Sequence, residues 1–350
     1  MKYISFFSGI GGFECAIKRV CGENATCVGY SEVKKSAIEI YSRHFPHHKN
    51  LGDVCEITEE KIDDVIRGGC DLVVCGFPCT NLSSMASLRG DNSGLQGSKS
   101  GLFHEFLRLF KIIMKKYPGV NYIIENNASM SKENRDMITE LLKNTHPCVF
   151  MTHIDASIVS IQTRKRIFWT NFCVKIEPKL YIEWNDFLDP INDIDKKYFM
   201  SNKYVNGMNT SIPSRTTRQK IQAVNVGENL WKFERINSVN EKSRFQFSQH
   251  SDNGSLNDIP YAYPIGRTRP LCAGGGGGFS RGLLVDRRFG KNDSEIFALR
   301  YFTYEEKERM FGFEVGYTIG LSDTKRSDLL GNSISVYVVM EILQKIPFQV

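Results

Sequence analysis

The stretch Leu72-Val73-Val74-Cys75-Gly76-Phe77-Pro78-Cys79 decides the fold. Leu72–Cys75 is a short, unbroken apolar run of β-formers, the pattern of a strand covered on both faces in a parallel sheet. Pro78 stops the ladder, because it has no N–H to donate and a fixed φ. Cys79 is therefore expected just beyond the carboxyl end of a central strand, where open α/β sheets gather their ligands and their chemistry. A lone cysteine is more often a buried, inert thiol, so its weight depends on the rest of the chain.

Outward from that stretch, short apolar segments at 3–7, 27–31, 122–125, 149–154 and 167–171 alternate with amphipathic ones. This is the signature of an α/β fold with a doubly wound, Rossmann-like sheet. Phe103, Phe106, Leu107, Phe110, Ile113 and Met114 recur at helical spacing, and 132–145 forms a second helix by the same test. The Ser/Gly/Asn/Asp-rich segment 83–100, directly after Cys79, suits a mobile lid. From about 175 to 270 the pattern breaks into short irregular pieces, expected to form a smaller second domain, and 274–278 is a run of glycines. Order returns at Thr303-Tyr304-Glu305-Glu306, a capping box opening a helix. Leu329, Val336, Val339, Met340 and Leu343 then make an apolar stripe, expected on one C-terminal helix that returns to the first domain.

The chain has 350 residues, enough for one large domain and a smaller one. No apolar run is long enough to span a membrane, and an opening strand leaves no room for a signal peptide. An intracellular protein is expected, in cytoplasm or nucleoid if bacterial or phage and in the nucleus if eukaryotic. Ten cysteines occur without a C-x-x-C pair, so reduced thiols and no metal site are expected. Residues 201–300 hold 15 Lys and Arg against 8 Asp and Glu, while the whole chain carries +6. The surplus is confined to one region, a footprint suited to a polyanion such as nucleic acid.

The first strand runs into Phe7-Ser8-Gly9-Ile10-Gly11-Gly12-Phe13-Glu14, a glycine turn into a helix. It departs from the dinucleotide fingerprint, having Glu14 where the last glycine would stand. A carboxylate at that entrance also disfavours a pyrophosphate. Glu32 closes the second strand, where an acid can accept from both ribose hydroxyls, and Asp53 suits an adenine edge on a third loop. Together these acids point to S-adenosylmethionine. Glu125 ends another strand at the same sheet edge as Cys79, where burial favours its protonated, donating form. Gln162-Thr163-Arg164-Lys165-Arg166 brings cations to the next strand. Alternation there would aim Arg164 and Arg166 the same way, to hold a phosphate and favour a Cys79 thiolate.

In this order the motifs resemble the DNA (cytosine-5) methyltransferase family, with the residues around Cys79, Leu102 and Arg166 closest to its de novo animal type. Phe77-Pro78-Cys79 looks like the family's Pro-Cys motif, Glu125-Asn126-Asn127 like Glu-Asn-Val, Gln162–Arg166 like Gln-x-Arg-x-Arg, and Gly331-Asn332-Ser333 like its final motif. Asn127 departs from the usual valine and Tyr304 from a common proline. The resemblance implies an enzyme of DNA methylation, as in restriction-modification, that flips a cytosine out of duplex DNA. Cys79 would add to C6 while Glu125 engages N3, with Arg164 and Arg166 completing the catalytic set. It further implies S-adenosylmethionine held by Phe7, Gly9, Gly11, Gly12, Glu32, Val33, Asp53, Val54, Pro78, Leu102, Asn332 and Ser333. The catalytic domain is expected at 1–174 and 325–350, with target recognition at 175–324. Double-stranded DNA is the expected partner of a monomer needing neither metal nor membrane. The rival readings are a cytosine-5 methyltransferase of transfer RNA and a non-catalytic DNA-binding regulator of the same fold.

Overall fold

The computed structural model describes residues 1–78, 101–199, 209–213, 218–227, 230–235, 248–249, 283–290 and 296–347. Cys79, the lid expected at 83–100 and the glycine run at 274–278 lie outside them. The chain forms two compact units. One comprises Met1–Ile158, Lys165–Lys179 and Asn332–Val350, the other Val159–Arg164 and Leu180–Gly331.

The first unit is built on strands β1 (Lys2–Phe6), β2 (Thr26–Ser31), β3 (Leu72–Cys75), β4 (Asn121–Asn127), β5 (Phe150–Asp155) and β6 (Lys165–Thr170), in the order β2-β1-β3-β4-β6-β5. β1 pairs in parallel with both β2 and β3, and β3 with β4. The order reverses at β1 and β3, so a crevice is expected beyond their carboxyl ends. β6 departs from the parallel pattern. It runs antiparallel to both β4 and β5 and lies between them, a direction that an apolar run does not encode. Its start at Lys165 also removes the basis for strand alternation at Arg164.

Helices α1 (Gly12–Cys21), α2 (Lys35–His44), α3 (Glu59–Val65), α4 (Gly101–Lys116) and α5 (Lys132–Lys143) follow the strands. The helical stripe of α4 is buried as its spacing requires. Phe106 meets Phe6 with ring centres 5.5 Å apart, and Phe110 meets Tyr122 edge-on at 5.2 Å. Each such ring contributes roughly 1.5–3 kcal/mol by leaving water. Elsewhere in the unit Tyr30 stacks on Tyr41 at 3.8 Å.

The second unit includes the short helix α6 (Trp184–Phe187) and a second sheet, where the sequence shows only irregular pieces. Strands β7 (Asn209–Pro213), β8 (Arg218–Gly227), β9 (Leu230–Arg235), β10 (Ser248–Gln249), β11 (Leu283–Asp286) and β12 (Ile296–Tyr301) lie in the order β10-β11-β12-β9-β8-β7, antiparallel except for β10 with β11. Helix α7 (Tyr304–Phe311) opens with the expected capping box between Thr303 and Glu306.

The C-terminal apolar stripe is divided between two helices, α8 (Asp323–Asn332) and α9 (Val336–Leu343). Leu329 belongs to α8, while Val336, Val339, Met340 and Leu343 lie on α9, which packs against α1 in the first unit. The division falls at Ser333-Ile334-Ser335, just after the chain passes from the second unit to the first between Gly331 and Asn332.

Candidate active site

The loops after β1, β2 and β3 meet at the carboxyl edge of the first sheet. Phe7 has a positive φ of 53°, as do Gly9 at 57° and Gly11 at 89°. For Phe7 this left-handed backbone is costly. The turn closes through Gly11 N–H donating to Ser8 O at 3.0 Å, and Ser8 N–H donating to Ser31 O at 3.2 Å. Gly12 has a different task. A Cβ there would lie 2.6 Å from Ile334 Cγ2 and 3.3 Å from Ser333 Oγ. Only glycine lets α1 approach the segment leading into α9, and this approach brings Ser333 beside the first turn.

Glu32 is held by main-chain donors. Its Oε2 accepts from Gly9 N–H at 2.9 Å, and its Oε1 accepts from Val33 and Lys34 N–H at 2.9 and 2.8 Å. Val33 beside it is 59% exposed, an isopropyl group open to solvent. Asp53 caps a single 3₁₀ turn, accepting from Cys55 N–H at 2.9 Å. Asp53 follows an isolated bridge between Tyr30 and Asn50 rather than a full strand. Val54 is only 2% exposed and packs into the core, so its side chain contributes to the floor rather than to a ligand face. A Cβ on Gly9 or Gly52 would meet nothing within 4 Å. The open cradle and its two carboxylates suit a nucleoside whose hydroxyl and amino groups donate, and they disfavour phosphates.

Glu14 stands in the first turn of α1, the expected carboxylate at the helix entrance, but it does not open onto this cradle. It is fully buried, and burial raises its pKa to about 7. Ser5 and Tyr41 face it and oppose that shift only partly. The same desolvation, with Glu14 nearby, pushes Cys27 up to about 12.

Gly76 shows how the cradle and the candidate acid converge. A Cβ there would stand 3.7 Å from Glu125 Oε2, 3.7 Å from the Phe13 ring and 4.0 Å from Phe7 O. Glu125 Oε1 is paired with Arg166 Nε at 2.9 Å, with both side chains largely buried. Burial is therefore accompanied by a counter-charge that sequence alone did not assign to Glu125. Asn126, missed as a site residue although its motif was quoted, is 1% exposed and donates from Nδ2 to Phe77 O at 3.0 Å. This bond fixes the segment that leads through Pro78, itself partly buried, to Cys79. Cys75, four residues earlier, is fully buried and its thiol is driven well above the ordinary range by desolvation, so it is no rival nucleophile. Asn127 Oδ1 accepts from Ser129 N–H at 3.0 Å. This local turn accounts for a polar side chain where valine is usual.

Arg164 and Arg166, expected to hold a phosphate together, fall in different units and have different partners. Arg164 belongs to the second unit, is 3% exposed, donates from Nη2 to Gly331 O at 3.0 Å and lies over the Phe311 ring at 5.0 Å. Arg166 belongs to the first unit and serves Glu125. Leu102 sits in the first turn of α4, partly buried against the core, while Asn332 is exposed at the end of α8. Tyr304, the other departure, lies beneath Lys307 and Arg326, 4.6 and 4.3 Å from its ring centre, with its hydroxyl donating to Asp323 O at 2.7 Å. A proline could make none of these contacts.

Among the described residues no group of three His, Cys, Asp or Glu is placed to hold a metal ion, and no helix is long and apolar enough to cross a membrane. Residues 1–347 match the model of the C-5 cytosine-specific DNA methylase family. The chain belongs to this family. Among its methylase relatives, the type II methyltransferase M.FnuDI of Fusobacterium nucleatum is 28% identical over 203 residues, covering 57% of this chain and 53% of that protein. The match thus spans about half the length of that relative. Solved methylase-fold neighbours include the Entamoeba histolytica methyltransferase EhMeth, with a TM-score of 0.67 and 16% identity, covering 99% of this chain and 97% of the other. A Spodoptera frugiperda DNMT2 mutant aligns with a TM-score of 0.63 and 16% identity, covering 98% of each chain. At these identities the likeness is one of fold.

Proposed function

We propose that this protein is a DNA (cytosine-5)-methyltransferase using S-adenosylmethionine. The observation that carries the reading is the convergence at Gly76, where Glu125 Oε2 and the Phe7 carbonyl flank one backbone position. It brings an acid suited to a pyrimidine edge against the turn suited to a nucleoside. In this reading Glu32 accepts from the ribose hydroxyls, Val33 and Asp53 border the adenine, and the positive-φ turn at Phe7–Gly11 leaves room for the methionine.

The chemistry follows from the poor nucleophilicity of cytosine C5. Cys79 as thiolate forms a bond to C6 of a flipped cytosine, and the displaced π electrons move toward C5 and N3. Glu125, in its protonated form and oriented by Arg166, donates a hydrogen bond to N3 and stabilises that charge. S-adenosylmethionine, when bound, would supply the electrophilic methyl group, its sulfonium leaving as a neutral thioether as the C5–methyl bond forms. Loss of the C5 proton to water then restores the double bond and expels the Cys79 thiolate. We place target recognition in 175–324, with duplex DNA as partner.

The test is incubation of the full chain with methyl-labelled S-adenosylmethionine and either duplex DNA or total RNA, followed by nucleoside digestion and mass analysis. Label in 5-methylcytosine of DNA is expected. Label in RNA alone would move the enzyme to an RNA substrate. No label, with cofactor binding intact, would leave a binding protein of the same fold.

A further inference from the structure

Asn50 belongs to none of the quoted motifs and to no residue set assigned above. Backbone pairing brings it beside β2: Tyr30 N–H donates to Lys49 O at 3.0 Å and Leu51 N–H donates to Tyr30 O at 2.7 Å. Beyond this bridge the side chain of Asn50 takes over the pairing. Its Oδ1 accepts from Glu32 N–H at 3.4 Å and its Nδ2 donates to Glu32 O at 3.1 Å. A carboxamide offers the same donor and acceptor as a peptide group, so the side chain acts as the missing strand neighbour of Glu32.

The same Oδ1 accepts from Gly52 N–H at 3.0 Å, and Ser31 Oγ donates to Gly52 O at 2.6 Å. Gly52 has a φ of 85° and precedes Asp53 directly. Glu32 in turn reaches Gly9 through its carboxylate. One half-buried carboxamide therefore joins the backbone that carries Glu32 to the backbone that carries Asp53, and through Glu32 it is linked to the glycine turn. We infer that Asn50 is a positioning residue that sets the separation of the Glu32 and Asp53 loops for the ribose and adenine of the cofactor. This inference rests on the proposed use of S-adenosylmethionine.

Asn50→Ala in the full chain separates the possibilities. Hydrogen exchange of the Glu32 and Gly52 amides in the free protein should accelerate at least tenfold, with exchange elsewhere in β1 and β3 unchanged. The Kd for S-adenosylmethionine should rise tenfold or more, while the Kd for duplex DNA stays within twofold. Unchanged exchange at both amides would overturn the clamp. Faster exchange with an unaltered cofactor Kd would overturn its bearing on the cofactor, as would equal losses of cofactor and DNA affinity. A wild-type chain that binds no S-adenosylmethionine would defeat the cofactor reading itself, a result distinct from failure of the variant.

Discussion

At the scale of single residues the site separates groups that act from groups that only shape. Cys79→Ser should retain S-adenosylmethionine binding and lose turnover by several orders of magnitude, since a hydroxyl does not form the C6 adduct at a useful rate. Turnover within tenfold of wild type would end the covalent mechanism. Glu14 belongs to the shaping class. Its folded pKa of about 7 lies above its ordinary 4.5, so the folded chain keeps a proton that the unfolded chain has released. The associated stability is complete below about pH 4.5 and is lost as pH rises through 7. Glu14→Gln keeps the neutral shape at every pH. Its stability should match wild type near pH 4.5 and exceed it at pH 8, the free-energy difference there being on the order of 3 kcal/mol and visible as a higher melting temperature. Parallel wild-type and variant melting curves across that range would show that the buried carboxyl is not what titrates.

At the scale of elements the decisive packing is that of α1 on α9. A Cβ on Gly12 would stand 2.6 Å from Ile334 Cγ2, closer than any relaxed contact. Gly12→Ala should cost about 1–3 kcal/mol, the usual price of overpacking. Adding Ile334→Ala should recover part of that loss, because it removes the atom in the way. Additive losses in urea melts of the three variants would exclude the close approach as the cause. The second unit shows a different cohesion. Arg300, fully buried, donates from Nε to Asp286 at 2.8 Å and from Nη2 to Glu306 at 2.7 Å, while Glu306 also closes the capping box. Arg326 donates to Glu305 and Glu308 at 3.1 and 3.0 Å, and Glu308 accepts from Gly316 and Thr318 N–H at 2.6 and 2.8 Å. Such networks tolerate little trimming, since removal of one partner leaves a buried charge uncompensated.

At the scale of the whole molecule, DNA affinity should fall steeply with salt, because phosphate contacts release counterions. The cationic surplus of 201–300 is smaller in effect than its count suggests. Arg300 is spent on Asp286 and Glu306, and Arg288 donates from Nη2 to Asp286 at 2.7 Å and from Nη1 to Asp189 O at 2.9 Å. Arg288→Gln should therefore lower the melting temperature and leave the slope of log Kd against log salt unchanged; a slope reduced by about one would return Arg288 to the phosphates. The same contrast shows what could be read without coordinates. Leu72–Cys75 and the stripe of α4 were legible because burial on both faces, or at helical spacing, writes itself into consecutive residues. The second sheet was not, since a strand such as Arg218–Gly227 mixes Gln, Lys and Asn with Ile and Val and owes its pairing to partners remote in sequence. Of the site, Glu32, Glu125 and the glycine turn were legible from chemistry at strand ends. Asn50, and the turning of Arg164 into the second unit, depend on side-chain directions that no spacing specifies. The split of the first unit around Leu180–Gly331 also bears on biosynthesis. The ribosome delivers α1 long before the Ile334 that Gly12 is shaped to receive, and at ~5–20 residues per second the intervening segment takes roughly fifteen to sixty seconds to emerge. Through that interval the nascent glycine turn lacks its C-terminal support, so methyl-donor binding should mature only when translation reaches α9.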